Sequence, residues 1–282
     1  MLGNAVFRFI SSQQKHEVWG TVRNKSSIRF FDQRLHQYII SDIDVLNHDV
    51  LVNLIQRIKP DYVINCIGLV KQLAEVDDPL ITLPINSLFP HQLARLCELC
   101  NTRVLQISTD CVFSGTQGAY TENDISDAND LYGKSKWIGE IQYPHTVTIR
   151  TSIIGHELQS QHSLVDWFLA QSGSCKGYTK AIFSGFPTIV LAQIIHDHIL
   201  EHPEMTGVYH VAANAINKFE LLTLVAKQYQ KTIELIPNDH VIIDRSLDAR
   251  RFNQLLGYIP PDWPGLIETM HNDYLTLRKQ YV

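Results

Sequence analysis

No run of about 18 apolar residues occurs in this chain, and no charged-then-apolar leader opens it, so neither a membrane-spanning helix nor secretion is expected. Basic excess is missing too: 24 Lys and Arg stand against 29 Asp and Glu, a formal charge of -5. That argues against a broad polyanion-binding surface, so no nucleic acid partner is expected, while small anions remain within reach of local arginines. Cysteine is scarce, with five residues at 66, 97, 100, 111 and 175. An odd, scattered set fits reduced thiols in the cytoplasm better than a disulfide framework. Cys97 and Cys100 form a Cys-x-x-Cys, but no second pair follows at finger spacing, and Leu93, Leu96 and Leu99 continue a helical pattern through them. Packing outweighs a metal or redox role there. His196, His198 and His202 are the densest of 13 histidines. Residues i and i+2 diverge on a helix, so His196 and His198 do not share a ligand set and no metal is expected. Repeats and low-complexity segments are also lacking.

What is present is length and apolar patterning: 282 residues, 45% hydrophobic, suffice for one large α/β domain with a smaller lobe. Val6, Phe7, Phe9 and Ile10 open with a helical pattern, and 16–23 reads as a strand ending at Arg23. A short strand over 38–45 leads through a helix near 47–58 to the continuous apolar strand 62–68. A helix is expected from about Asn86 to Cys100, then buried strands at 103–109 and 146–151. Strands apolar on both faces that alternate with amphipathic helices imply a doubly wound parallel sheet, with ligands at the carboxyl ends of its strands. After Gly155 the pattern loosens. Helices near 163–171, 190–201 and 218–230, a Gly-rich stretch at 173–177, a strand at 207–211 and a final helix read as a smaller lobe closing on the sheet. The division expected is 1–154 for the sheet domain and 155–282 for the lobe, with 182–202 returning to the sheet.

Tyr132-Gly133-Lys134-Ser135-Lys136 is the stretch that carries chemistry. Positions i and i+4 share a helix face, so a phenol and an ammonium meet there. A nearby cation makes a phenol easier to ionise, and reduction of a ketone needs a proton for the oxygen as hydride reaches carbon. A lone Tyr-x-x-x-Lys is ordinary helix surface in most proteins; the surrounding order of motifs gives it weight. Glu122 and Asp124 read as part of a loop near the site rather than as an acid/base pair. A nucleophilic role for Cys111 lacks a neighbouring histidine in sequence.

Ile107 to Gly115, Tyr120 to Asp124, Tyr132 to Lys136 with Gly139-Glu140, and Arg150-Thr151-Ser152, supported by Pro187-Thr188 and 245–248, together resemble the extended short-chain dehydrogenase/reductase superfamily in its dTDP-4-dehydrorhamnose reductase branch. The resemblance spans nearly the whole chain. It implies a Rossmann-type fold, an NADP(H) cofactor with NAD(H) as the alternative, and a nucleotide-sugar substrate, with a homodimer compatible. It further implies Thr109 as the hydroxyl on the substrate carbonyl, Tyr132 as proton donor, and Lys136 as the residue that binds the nicotinamide ribose and tunes the phenol. Gly3, Asp44, Val45, Asn65, Cys66, Gly68, Ser108, Arg150 and Thr151 match cofactor positions, and Asn86 opens the helix that follows. Arg23 at a strand end would favour a 2′-phosphate. Asp110, Cys111 and Phe113 flank the substrate position. Arg245 and Arg250 would meet its diphosphate, since a planar fork suits phosphate oxygens.

Two departures qualify this. Met1-Leu2-Gly3 resembles the end of the branch's glycine-rich turn, so the sequence as given is expected to start inside its phosphate loop, leaving a slot where a central strand would run. Cys111 stands where the branch usually has tyrosine, and Ser114 where it has aspartate, which leaves the sugar open. The function expected is NAD(P)H-dependent reduction of a 4-keto nucleotide-deoxysugar for surface polysaccharide synthesis. An epimerase or dehydratase of the same superfamily and a non-catalytic regulatory subunit are the rivals.

Overall fold

The computed structural model describes residues 1–71 and 74–280. Its first half runs α1 (Leu2–Gln13), β1 (Gly20–Thr21), β2 (Ile39–Ile40), α2 (His48–Ile58), β3 (Tyr62–Asn65), α3 (Pro79–Leu83), α4 (Phe89–Glu98), β4 (Arg103–Thr109), α5 (Leu131–Ile138) and β5 (Thr146–Thr151). The second half continues with β6 (Ile153–Ile154), α6 (Leu164–Ala170), β7 (Ser174–Tyr178), β8 (Ala181–Phe183), β9 (Phe186–Pro187), α7 (Thr188–Ile194) and β10 (Gly207–His210). It ends with β11 (Ile216–Asn217), α8 (Lys218–Gln228), β12 (Glu234–Asn238), β13 (Ile243–Asp244), α9 (Arg250–Leu256) and α10 (Trp263–Gln280).

Four parallel strands in the order β10-β5-β4-β3 make the main sheet, and β1 pairs with β2 in a separate parallel ribbon. Every residue of β5 is buried, as expected of a strand covered on both faces. One face carries α1 and α7 in a cluster with Val6, Ile10, Leu105, Ile149 and Leu191. The other carries α2 and α4, with Leu51, Ile55, Phe89, Leu93 and Val104. Each such side chain taken fully from water stabilises the fold by roughly 1.5–3 kcal/mol before entropy is counted. The register sets Ser108 beside Arg150 and Thr109 beside Thr151, so the polar residues that end both strands share one edge.

Several sequence expectations shift. The strand over 16–23 contracts to two residues, and 38–45 likewise, because most of their length is unpaired and the second ends in a turn where Asp44 accepts from Leu46 N. The helix expected from Asn86 starts earlier, at Pro79. Asp78 caps the Leu80 N–H, Pro79 sits in the first turn where its missing N–H costs nothing, and Pro84 opens a π turn over 84–88 that contains Asn86. The Gly-rich stretch at 173–177 is strand β7, paired in parallel with β12.

Candidate active site

The carboxyl ends of β3 and β4 open onto a cavity of about 1500 Å³ that also takes in Thr151 and Ser152 at the end of β5. Helix α5 stands on its rim, started by Asp130, whose carboxylate accepts from Gly133 N at 2.7 Å. Two glycines let this helix approach closely. A Cβ on Gly133 would fall 2.2 Å from the Cys111 carbonyl, and one on Gly139 would fall 1.9 Å from the Asn86 carbonyl. Ser87 Oγ donates to Ser135 O at 2.9 Å and locks the π turn to α5. Tyr132 and Lys136 consequently face the same cavity as Thr109, Asp110 and Cys111.

Thr109 caps the turn that follows β4. Its Oγ1 accepts from Cys111 N at 3.1 Å and donates to Asp110 Oδ1 at 3.1 Å. Lys136 Nζ donates to the Ile107 carbonyl at 2.7 Å. Burial lowers its pKa to about 8, and the charges of Glu140 and Cys66 pull the other way. Burial pushes the Tyr132 phenol up; ionisation of neighbouring Cys111, Asp110 or Asp130 would act in the same direction, and a hydrogen bond with Thr109 opposes it. Burial is the largest cause of this shift, and the Lys136 ammonium donates to a strand carbonyl. Burial, reinforced by Asp110, drives the Cys111 thiol up to about 12, so it is a neutral thiol at neutral pH and a poor nucleophile. Asp110 is itself raised by burial, with Thr109, Arg245, Cys111 and Ser152 drawing it back.

Of the other expected residues, Gly3, Val45, Asn65, Cys66, Gly68, Ser108, Thr151 and Arg245 line the cavity. Asn65 donates to Gln106 Oε1 at 2.7 Å and accepts from Ile67 N at 3.0 Å, which fixes the turn after β3. Arg245 is aimed by its Nε bond to the Phe113 carbonyl at 2.7 Å, on a segment zipped to 115–120 through Tyr120 and Ser246.

Five expected residues do not reach the cavity. Arg23 and Asp44 are exposed, with Asp44 holding Leu46 N in its own turn. Phe113 is buried behind the site, stacked on Tyr120 with centroids 4.1 Å apart. Arg150 is a structural cation: it grips Glu140 through Nε and Nη2 at 2.8 Å each and meets His210 Nε2 at 3.3 Å. Arg250 is exposed and paired with Asp248. Glu122 accepts from His210 N, which ties down the loop beside the site.

Sequence reading missed two lysines. Lys218, first residue of α8, lines the cavity within electrostatic reach of Asp110, Cys111 and Arg245; burial lowers its pKa and Asp110 raises it. Lys71 lines the cavity and bonds Asp130. A lysine at a helix start or in a polar turn carries no signal of its own. Glu140, visible only as part of a motif, accepts from Ser108 Oγ at 2.7 Å as well as from Arg150 and so orders the floor of the site.

The RmlD substrate binding domain family matches residues 1–251. The chain belongs to this family. One relative, a dTDP-4-dehydrorhamnose reductase of Aggregatibacter actinomycetemcomitans, is 25% identical over 255 residues, covering 82% of this chain and 87% of that protein. A solved structure titled a hypothetical dTDP-4-dehydrorhamnose reductase from Sulfolobus tokodaii superposes with a TM-score of 0.77 at 26% identity, covering 94% of this chain and 95% of that one. The dTDP-4-dehydrorhamnose reductase of Bacillus anthracis, solved in complex with NADP, gives 0.72 at 18% identity over 90% of this chain and 97% of that one, a likeness of fold.

The cavity in this family member fits a nicotinamide dinucleotide. A Cβ on Gly68 would come 3.3 Å from Asn86 Oδ1 and 3.6 Å from Lys136 Nζ, so a side chain there would crowd the lysine's approach to the cavity. The backbone N–H groups that begin α1 line the same cavity at Met1 to Gly3, a start that suits a phosphate. Lys136 lines the same cavity.

Proposed function

We propose that the protein reduces the 4-keto group of a nucleotide-activated deoxysugar of the dTDP-4-dehydrorhamnose type to an alcohol, with NADPH as donor and NADH as the alternative. The observation that carries this is the convergence of Thr109, Tyr132 and Lys136 on one cavity at the strand ends, in a chain of the RmlD family. When bound, the nicotinamide supplies the hydride. Tyr132 delivers its phenolic proton to the carbonyl oxygen, and Thr109, freed from Asp110, donates a hydrogen bond to that same oxygen. Lys136 holds the cofactor ribose. Burial keeps the phenol protonated through the physiological range, which suits a donor at the moment hydride arrives. Lys218 and Arg245 flank the opposite side of the site and suit the substrate's diphosphate. Arg250, being exposed and paired, is not assigned to it.

The epimerase or dehydratase reading is weaker, because the residue after Asp110 is Cys111, a neutral thiol, where an acidic pair would serve deprotonation. The smaller lobe is proposed to hold the sugar nucleotide, and residues 155–282 supply Lys218 and Arg245 to that end. A cytoplasmic setting is proposed on five free cysteines, and among the described residues no helix is long and apolar enough to cross a membrane. A homodimer is tested by sedimentation.

Tyr132→Phe tests the mechanism. Its kcat is expected to fall about 10²–10⁴-fold, the usual contribution of a positioned acid, while NADPH affinity changes less than about twofold. An unchanged rate would sink the assignment.

A further inference from the structure

We infer that Asp110 is the proton source that restores Tyr132 after each reduction, acting through the hydroxyl of Thr109. This rests on the reductase reading above and adds a step to it, the return of the phenolic proton spent on the substrate. Three groups at the end of β4 form a chain. The Tyr132 phenol is hydrogen-bonded to Thr109, and Thr109 Oγ1 stands 3.1 Å from Asp110 Oδ1. Cys111 N donates to the same Oγ1 at 3.1 Å, which fixes the hydroxyl between phenol and carboxyl. Thr109 and Asp110 are each 8% exposed, so bulk water is largely kept from the middle of the chain. The carboxyl also takes a side-chain hydrogen bond from Ser152, a residue that lines the cavity.

The surroundings set the direction of transfer. Asp110 faces Thr109, Cys111 and Ser152, the Tyr132 phenol of α5, and two cations, Arg245 and Lys218 of α8. Burial raises its pKa, against the Thr109 bond and the Arg245 charge, yet even a fully buried carboxyl reaches only about 8–9. An ordinary phenol starts at about 10, and burial raises Tyr132 further. A proton therefore runs downhill from carboxyl to phenolate. Once the product leaves, Thr109 resumes its bonds to Tyr132 and Asp110. The Thr109 O–H bond breaks toward the phenolate oxygen while the Asp110 O–H bond breaks toward Thr109 Oγ1. Two O–H bonds break and two form, no electrons are exchanged, and the negative charge passes from Tyr132 to Asp110. A solvent acid entering by Ser152 then reloads the carboxylate with the one proton that net reduction of a ketone consumes.

Asp110→Asn keeps the size and hydrogen bonding of the side chain but lacks an acidic proton. The test follows NADPH oxidation with a dTDP-4-keto-6-deoxysugar in a single turnover, in steady state, and in steady state with imidazole as a diffusible acid near neutral pH. The variant's first turnover is expected within about twofold of the parent, its steady-state kcat at least about tenfold lower, and imidazole should restore much of that loss. An Asp110 that only holds substrate or structure would slow the first turnover or raise KM, with no response to imidazole. Parent-like kcat, a first turnover slowed as much as later ones, or no recovery with imidazole would overturn the inference. Asp110→Ser, put through the same three readouts, decides the matter if the Asn variant does not fold. A parent protein that oxidises no NADPH with this sugar would sink the reductase reading and this inference with it, a result distinct from an active parent whose variant behaves like it.

Discussion

Lys136 shows how burial at a single residue ties stability to chemistry. Its pKa falls from an ordinary 10.5 to about 8 because the ammonium is desolvated between β4 and the first turns of α5. The unfolded chain then binds more protons than the fold between those two values, so this group's contribution to stability rises with pH across that window. Below about pH 8 the buried charge costs on the order of 3 kcal/mol. Lys136→Met should therefore leave Tm at pH 7 unchanged or higher while turnover collapses, a separation that thermal melts and initial rates reveal together. On the proposed mechanism the ammonium is needed, and it is lost above about pH 8. kcat/KM should bend downward there, and the bend should disappear from the accessible range in Lys136→Arg, whose charge persists. A profile flat to pH 10 in the parent enzyme would rule out a required ammonium at this position.

At the scale of elements, α5 and the π turn over 84–88 act as a matched pair. Gly139 leaves so little space that an alanine methyl would fall 1.9 Å from the Asn86 carbonyl. Gly139→Ala is expected to destabilise by several kcal/mol and to displace Lys136, seen as a lower Tm with a raised KM for NADPH. Beneath them, Glu140 and Arg150 form a buried ion pair with side chains 3% and 6% exposed. Glu140→Gln removes one partner and leaves the guanidinium uncompensated, so a loss of about 3–5 kcal/mol is expected in denaturant unfolding. These relations mark the border of what could be read from residues alone. β4, β5 and α5 were legible because apolar runs and a five-residue motif are local signals. The start of the helix at Pro79 was not, since two prolines disguise a continuous axis, and neither was β7, where Ser, Lys and Gly hide a strand made by pairing with β12. Arg150 looked like a cofactor contact because the sequence places it at a strand end; only the fold reveals that Glu140 and His210 claim it.

For the whole molecule, two sheets and the segments after Gly155 enclose one cavity whose floor is built by strands and whose far wall carries Lys218 and Arg245. The cation pair was half legible: Arg245 stood out in an arginine cluster, whereas Lys218 gained meaning only when the fold brought α8 to the site. Net reduction in this cavity is decided by stoichiometry. Purified protein is supplied with NADPH and a dTDP-4-keto-6-deoxysugar, and NADPH consumed is counted against alcohol formed. The account predicts one NADPH oxidised for each 4-hydroxy product, with none oxidised when the sugar is omitted. Sugar converted with no net loss of NADPH would assign the cavity to an epimerase or dehydratase, and absence of both sugar conversion and NADPH oxidation would contradict an enzymatic role.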